Sequence, residues 1–168
     1  MKSLFYSLIL LLLTFTAAAH AEESEPVPAA SLPAESKFGA KYLDGAKDLA
    51  LYALGLIGVT YKFGGNSPES GLDCSGLVHY VFRQVGGLVL PRNSRALSAS
   101  GARVGEAELR PGDLVFYNTL RKPFSHVGIY LGEHRFIHAP SRGGEVQIVD
   151  MTETYWAKRY NGARRITF

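Results

Sequence analysis

Gly71-Leu72-Asp73-Cys74-Ser75-Gly76 runs directly into Leu77-Val78-His79-Tyr80-Val81-Phe82, and this stretch holds the single cysteine of a 168-residue chain. A loop of breakers, Gly64-Gly65-Asn66-Ser67-Pro68, precedes it, so no regular element is expected to persist on that side. Beyond the cysteine, Leu77, Val78, Val81, Phe82 and Val85 recur at helical spacing until Gly86-Gly87 interrupts them. Asp73 is a residue of the N-cap type, which puts Cys74 in the first turn of a buried helix. Unpaired backbone amides and the positive end of the helix dipole there favour a thiolate over a thiol. The same amides suit a developing oxyanion. Plain packing is the competing reading, because free cysteine is among the most buried residue types.

The beginning of the chain speaks to compartment. One positive charge in Met1-Lys2-Ser3 is followed by a nearly all-apolar run from Leu4 to Phe15, and then by small residues ending Ala19-His20-Ala21. That order is the order of a secretory signal, residues 1–21, cut after Ala21. An uncleaved anchor is the rival, but the run is short for a bilayer span. No cysteine sits at the cut to carry a lipid, so the expected product is exported, periplasmic or secreted, without a stable membrane anchor. Residues 22–37 are acidic and rich in Pro and Ala, with no periodic apolar face, and read as a linker.

Residues 38–168 remain, enough for one domain with its own core. From Lys37 onward there are 17 Lys and Arg against 11 Asp and Glu, so this part carries +6 while the whole chain carries +3. Such a domain suits an anionic polymer such as a cell wall. The basic residues are scattered and form no dense stripe, which argues against nucleic acid. A lone exported cysteine has no partner for an internal disulfide. It is packing, an intermolecular link or a working thiol.

In chain order, Asp44 to Ile57 reads as a helix with Ala46, Leu49, Ala50, Ala53, Leu54 and Ile57 on one face and Gly58 as its stop. Val59 to Gly65 makes a short extended lead into the cysteine loop. Leu88-Val89-Leu90-Pro91 is extended, and Asn93-Ser94 caps a short helix through Ser98. The turn Pro111-Gly112-Asp113 launches the strand Leu114–Tyr117. Strands follow at His126–Leu131, Arg135–Ala139 and Val146–Val149, and after an aromatic tail from Tyr155-Trp156, Ala163–Ile166 closes the sheet. Helices first and antiparallel strands afterwards make the class α+β.

Of five histidines, His20 leaves with the leader, His79 points away from Cys74 on its helix, and His134 sits in a turn. His126 and His138 are linked by strand geometry. If Gly132-Glu133-His134 is a three-residue hairpin loop, Gly128 lies opposite His138 and His126 is its same-face diagonal neighbour. Gly128 then leaves room between the rings, whereas a loop of even length puts them on opposite faces. On one face and near the helix start, His126 can take the thiol proton while His138 orients it. Two packed histidines, or a Cys/His/His metal site, are the alternatives left open by the residues alone.

Asp73-Cys74-Ser75-Gly76, Tyr61 with Gly64-Gly65, Leu90-Pro91-Arg92, Pro111-Gly112-Asp113-Leu114, His126-Val127-Gly128-Ile129-Tyr130 and His138-Ala139 resemble, in order and spacing, the NlpC-type cell-wall cysteine peptidases. With the tail from Tyr155-Trp156 to Arg164-Arg165, the likeness is greatest to the Spr-like murein endopeptidases of Gram-negative bacteria. It covers about residues 44–166. The resemblance implies a papain-like α+β fold and hydrolysis of peptidoglycan peptide bonds by a cysteine nucleophile without a cofactor. By position it implies Cys74 as nucleophile, His126 as general base and His138 as the orienting third residue. Tyr61, Asp73 and Ser75 would line the substrate site. The missing lipidation cysteine departs from many such relatives and bears on attachment, not on chemistry.

The expectation is a monomeric, exported endopeptidase whose partners are peptidoglycan peptides. Its rivals are a thiol acyltransferase on the same fold, which needs a large apolar pocket at Cys74, and a non-catalytic wall-binding module. A working Cys74 is expected to alkylate quickly at neutral pH, with a rate that depends on His126. The bond cleaved is set by groove shape, which residue types alone do not encode.

Overall fold

The computed structural model describes residues 37–141 and 144–167. The expected leader, and the expected linker up to its last residue, lie outside the described residues. Helix α1 (Lys37–Leu54) begins earlier than the expected Asp44 and stops before Ile57. The periodic face fails at that end because the chain turns: Gly58 adopts φ +86° and its N–H reaches Val146 O at 2.9 Å. Leu56 consequently goes inward and Ile57, at 50 % exposure, goes out.

Helix α2 (Cys74–Gly86) has the expected bounds. Asp73 is its N-cap, in extended conformation, with the side chain accepting from Gly76 N–H. Gly87 closes it in the left-handed region at φ 64°, and the N–H groups of Gly87 and Leu88 return to Arg83 O and Phe82 O. The Gly87 bond, four residues back, is that of the αL cap, in which glycine avoids a Cβ clash. Leu77, Val78, Val81 and Phe82 are wholly buried, and burying side chains of this size stabilises by about 1.5–3 kcal/mol each. The breaker loop is less irregular than its composition suggests: β1 (Asn66–Ser67) and β2 (Gly71–Leu72) form a two-residue antiparallel pair, held because Leu72 is fully buried and bridges Tyr61. Helix α3 (Ser94–Leu97) is capped by Asn93 as expected.

The strands are β3 (Ala102–Val104), β4 (Leu114–Tyr117), β5 (His126–Gly132), β6 (Arg135–His138), β7 (Gln147–Asp150) and β8 (Tyr160–Arg165), with helix α4 (Thr154–Ala157) before the last. They form one antiparallel sheet in the order β3-β8-β4-β5-β6-β7. The last strand does not close the sheet at its edge but lies between β3 and β4. Arg165 fixes it there, donating from Nε and Nη2 to the two carboxylate oxygens of the fully buried Asp113 at 2.8 and 2.7 Å. β3 has no sequence signal because it is only three residues long and mostly exposed. Helices α1 and α2 pack on one face through Phe116, Val127, Ile129 and Ile137. The other face carries Val115, Tyr117 and Phe136 under Trp156 of α4. Among the described residues no helix is long and apolar enough to cross a membrane.

The β5–β6 connection reaches the expected register by a different route. The turn has two central residues, Glu133 and His134, both at positive φ (50° and 57°), the mirror-image turn that matches strand twist. An even loop by itself would separate the two histidines. A bulge between Tyr130 and Gly132 restores the register, with Tyr130 opposite Phe136 and Ile129 opposite Ile137. The space over Gly128 is not left between the imidazoles, since a Cβ there would meet the Phe136 ring at 2.5 Å.

Candidate active site

Cys74 opens α2, and the first-turn amides are shared out by residue type. Gly76 N–H donates to Asp73 Oδ1 at 2.6 Å, and Leu77 N–H to Asp73 O at 2.9 Å. The amides of Val127 in β5, of Ser75 and of Cys74 itself act on the Cys74 thiol to favour its thiolate. They do not prevail in the resting site. Burial, and after it the Asp73 carboxylate, push the thiol up to about 11. The expectation that the helix start alone yields a thiolate is therefore corrected. The amides act in the expected direction, but desolvation of a charge outweighs them.

Asp73 is the hub of the surrounding loops. Its Oδ1 also accepts from Ser75 Oγ at 3.0 Å and Arg92 Nη1 at 3.2 Å, and its Oδ2 accepts from Gly64 N–H at 2.9 Å. Burial would raise its pKa, but the Gly76 amide, Arg92 and Ser75 together hold the carboxyl below the usual range. Ser75 Oγ reaches Arg92 O at 3.0 Å, and Arg92 Nη2 donates to Gly65 O and Gly64 O at 3.0 and 3.3 Å. Gly76 is required by this closeness, since a Cβ would run into the Gly65 carbonyl. Arg92 thus ties the breaker loop to the nucleophile's helix.

His126 and His138 share one sheet face, as expected, but it is the face under Trp156 and not the one on which α1 and α2 pack, and His126 borders the Cys74 cavity from there. His126 Nε2 lies 2.8 Å from His138 Nδ1, with the rings 5.0 Å apart and nearly perpendicular. Trp156 stacks on His126 at 5.8 Å and 28° and meets His138 edge-on at 4.9 Å. Burial lowers the pKa of both rings, and His126 lowers that of His138 further, so both rest neutral. Nε2 of His138 is buried without a hydrogen-bond partner. His79 bonds Leu90 O at 2.7 Å, and His134 is exposed; neither joins the site.

A cavity of about 320 Å³ brings Cys74, His126, Tyr61, Asp73, Ser75 and Arg92 together. Burial first, then Cys74 and Asp73, raise the pKa of the Tyr61 hydroxyl, which stays protonated beside the sulfur. Phe63 and Leu120, 88 % and 64 % exposed, stand on its rim. Among the described residues, no three His, Cys, Asp or Glu side chains are grouped to hold a metal ion, and the two imidazoles spend a nitrogen each on one another. Every sequence-expected site residue except His138 lines this cavity, and His138 reaches it through His126. Sequence reasoning gave no role to Arg92 or Trp156. Each acts across a long sequence separation, and no local pattern marks either.

The NlpC/P60 family model matches residues 58–165. The chain is 47 % identical over 110 residues to a gamma-DL-glutamyl hydrolase of Bacillus subtilis, a match spanning 65 % of this chain and 26 % of that protein. It is 45 % identical over 109 residues to Murein DD-endopeptidase MepS/Murein LD-carboxypeptidase of Escherichia coli, spanning 65 % of this chain and 56 % of that one. The matched region is thus about a quarter and about half of these two relatives. A crystal structure of an NlpC/P60 family protein from Bacillus cereus superposes with a TM-score of 0.68 at 31 % identity, covering 73 % of this chain and 40 % of that chain. On this likeness of sequence and fold, which takes in the cysteine helix and both histidine strands, the chain belongs to the NlpC/P60 family.

Proposed function

We propose that this protein is an exported cysteine endopeptidase that hydrolyses peptide bonds of peptidoglycan, in the stem or the cross-link, acting in the periplasm or outside the cell as a monomer. The observation that carries the reading is the cavity holding Cys74 and His126, with His126 Nε2 bonded to His138 Nδ1 at 2.8 Å. Names of relatives supply the substrate class: murein for the Escherichia coli protein and gamma-DL-glutamyl bonds for the Bacillus one.

With Nε2 engaged by His138, Nδ1 is the nitrogen of His126 left for the thiol. To accept there, His126 must carry its proton on Nε2 and donate it to His138 Nδ1, so His138 fixes the tautomer. Because the resting pair is neutral, the thiol proton passes to His126 as sulfur attacks the carbonyl carbon, not before. The amides of Cys74 and Ser75 face the developing negative charge. Collapse breaks the C–N bond, His126 protonates the departing amine, and a thioester remains. Water, deprotonated by His126, then releases the acid and restores the thiol.

Cys74→Ala should abolish release of fragments from purified peptidoglycan while leaving the melting curve intact, with mass spectrometry of the products identifying the bond. Undiminished release removes this mechanism, whereas no release by the unsubstituted protein leaves the wall-binding reading.

A further inference from the structure

A second cavity, of about 480 Å³, lies on the far side of the histidine pair. It shares His126, Thr119, Leu120 and Ser141 with the Cys74 cavity, so a chain bound across the nucleophile runs on into it. Its inner wall is Trp156 with His138, and its outer wall holds Gln147, Tyr155 and Arg159. With both imidazoles neutral, Arg159 is the one charged side chain lining it among the described residues.

Arg159 is held in place without being neutralised. Its guanidinium lies 3.9 Å over the Tyr155 ring, and Nη1 donates to Tyr155 O at 2.9 Å. Neither contact supplies negative charge, and the described ion pairs involve Arg92, Arg135 and Arg165 instead. A guanidinium has five N–H donors in a planar fork that matches a carboxylate. In the Cys74 cavity, by contrast, Arg92 is already paired with Asp73. Among the described residues that line the two cavities, the uncompensated positive charge is that of Arg159.

We propose that this second cavity is a substrate subsite for a free carboxylate, gripped by Arg159, and that it orients the peptide across Cys74. The inference rests on the peptidase reading and names a specificity determinant for it. Stem peptides of a cell wall carry several carboxylates, and one of them is selected here. A charge-assisted, bidentate contact of this kind corresponds to about a tenfold to hundredfold change in affinity.

The test uses the full chain with Cys74→Ala, so that peptide is bound and not consumed. Trp156 is the only tryptophan and lines the cavity, so its fluorescence reports binding. A diaminopimelate-containing stem tetrapeptide is titrated beside its single-carboxamide derivatives, each with one carboxylate neutralised. One derivative should bind ten- to a hundredfold more weakly than the free acid. In Arg159→Gln the acid should weaken equally, and that derivative should lose nothing further. Arg159→Lys, which keeps the charge without the fork, should fall between. Equal weakening of all peptides by Arg159→Gln, no weakening, or no binding at all overturns the proposal. If the discrimination holds but the unsubstituted protein cleaves nothing, the subsite stands and the peptidase reading falls.

Discussion

Mild acid should destabilise this domain by trying to charge two rings that the fold keeps neutral. An unfolded chain takes up a proton on each of His126 and His138 near pH 6.5. In the fold burial depresses both, and for His138 the neighbouring His126 adds to it. Between that pH and the folded values, the unfolded state binds more protons, so stability is fully present above about pH 6.5 and is lost as pH falls. Each ring costs about 1.4 kcal/mol per pH unit, or about 2 kcal/mol by pH 5 and about 4 kcal/mol for the pair. That is a large part of the 5–15 kcal/mol typical of a domain. Asp73 is held low, so its contribution is lost only at lower pH. Urea unfolding at pH 7, 6 and 5, followed by Trp156 fluorescence, measures the slope. In the double variant His126→Asn/His138→Asn the slope over this window should nearly vanish. A stability that is flat from pH 7 to 5, or a slope unchanged in the double variant, refutes the account of the neutral pair.

Further outcomes follow from the same geometry. With the thiol pushed up to about 11, alkylation of Cys74 by iodoacetamide should be slow at pH 7 and keep rising beyond pH 9, in place of the fast neutral reaction expected from the helix start alone; a plateau below pH 7 would indicate a preformed thiolate–imidazolium pair. Arg92→Met removes the cation from Asp73 and two bonds to the Gly64-Gly65 loop, and should cost about 1–3 kcal/mol in urea unfolding along with most hydrolytic activity; full activity would mean that this loop does not support the nucleophile. His138→Ala should lower kcat by about a hundredfold or more with little change in KM, and His138→Asn, which retains an acceptor for His126, should recover part of it. Equal losses in the two variants would deny His138 its orienting role.

The cysteine helix was legible because its signals are local. Asp73 as cap, the apolar spacing from Leu77 to Val85 and the glycine stop at Gly86-Gly87 each act within one or two turns, and the structure keeps those bounds. The histidine register was legible in outcome but not in route. Sequence pattern puts both rings on one face only on the condition of a three-residue loop, whereas the structure reaches that register through a two-residue turn and a compensating bulge, where Phe136 packs over Gly128.

What the sequence alone determined is the α+β order, the helix that presents Cys74 and the pair of strands that carry His126 and His138. These depend on spacing and on residue type. Only the tertiary structure decided that β8 runs inside the sheet, that Arg92 and Asp73 clamp the loop behind the nucleophile, that Trp156 covers the imidazoles, and that the resting thiol keeps its proton. Each of these depends on how much water is excluded and which distant charges are brought close. Desolvation and long-range pairing are properties of the assembled volume, and no stretch of chain contains them.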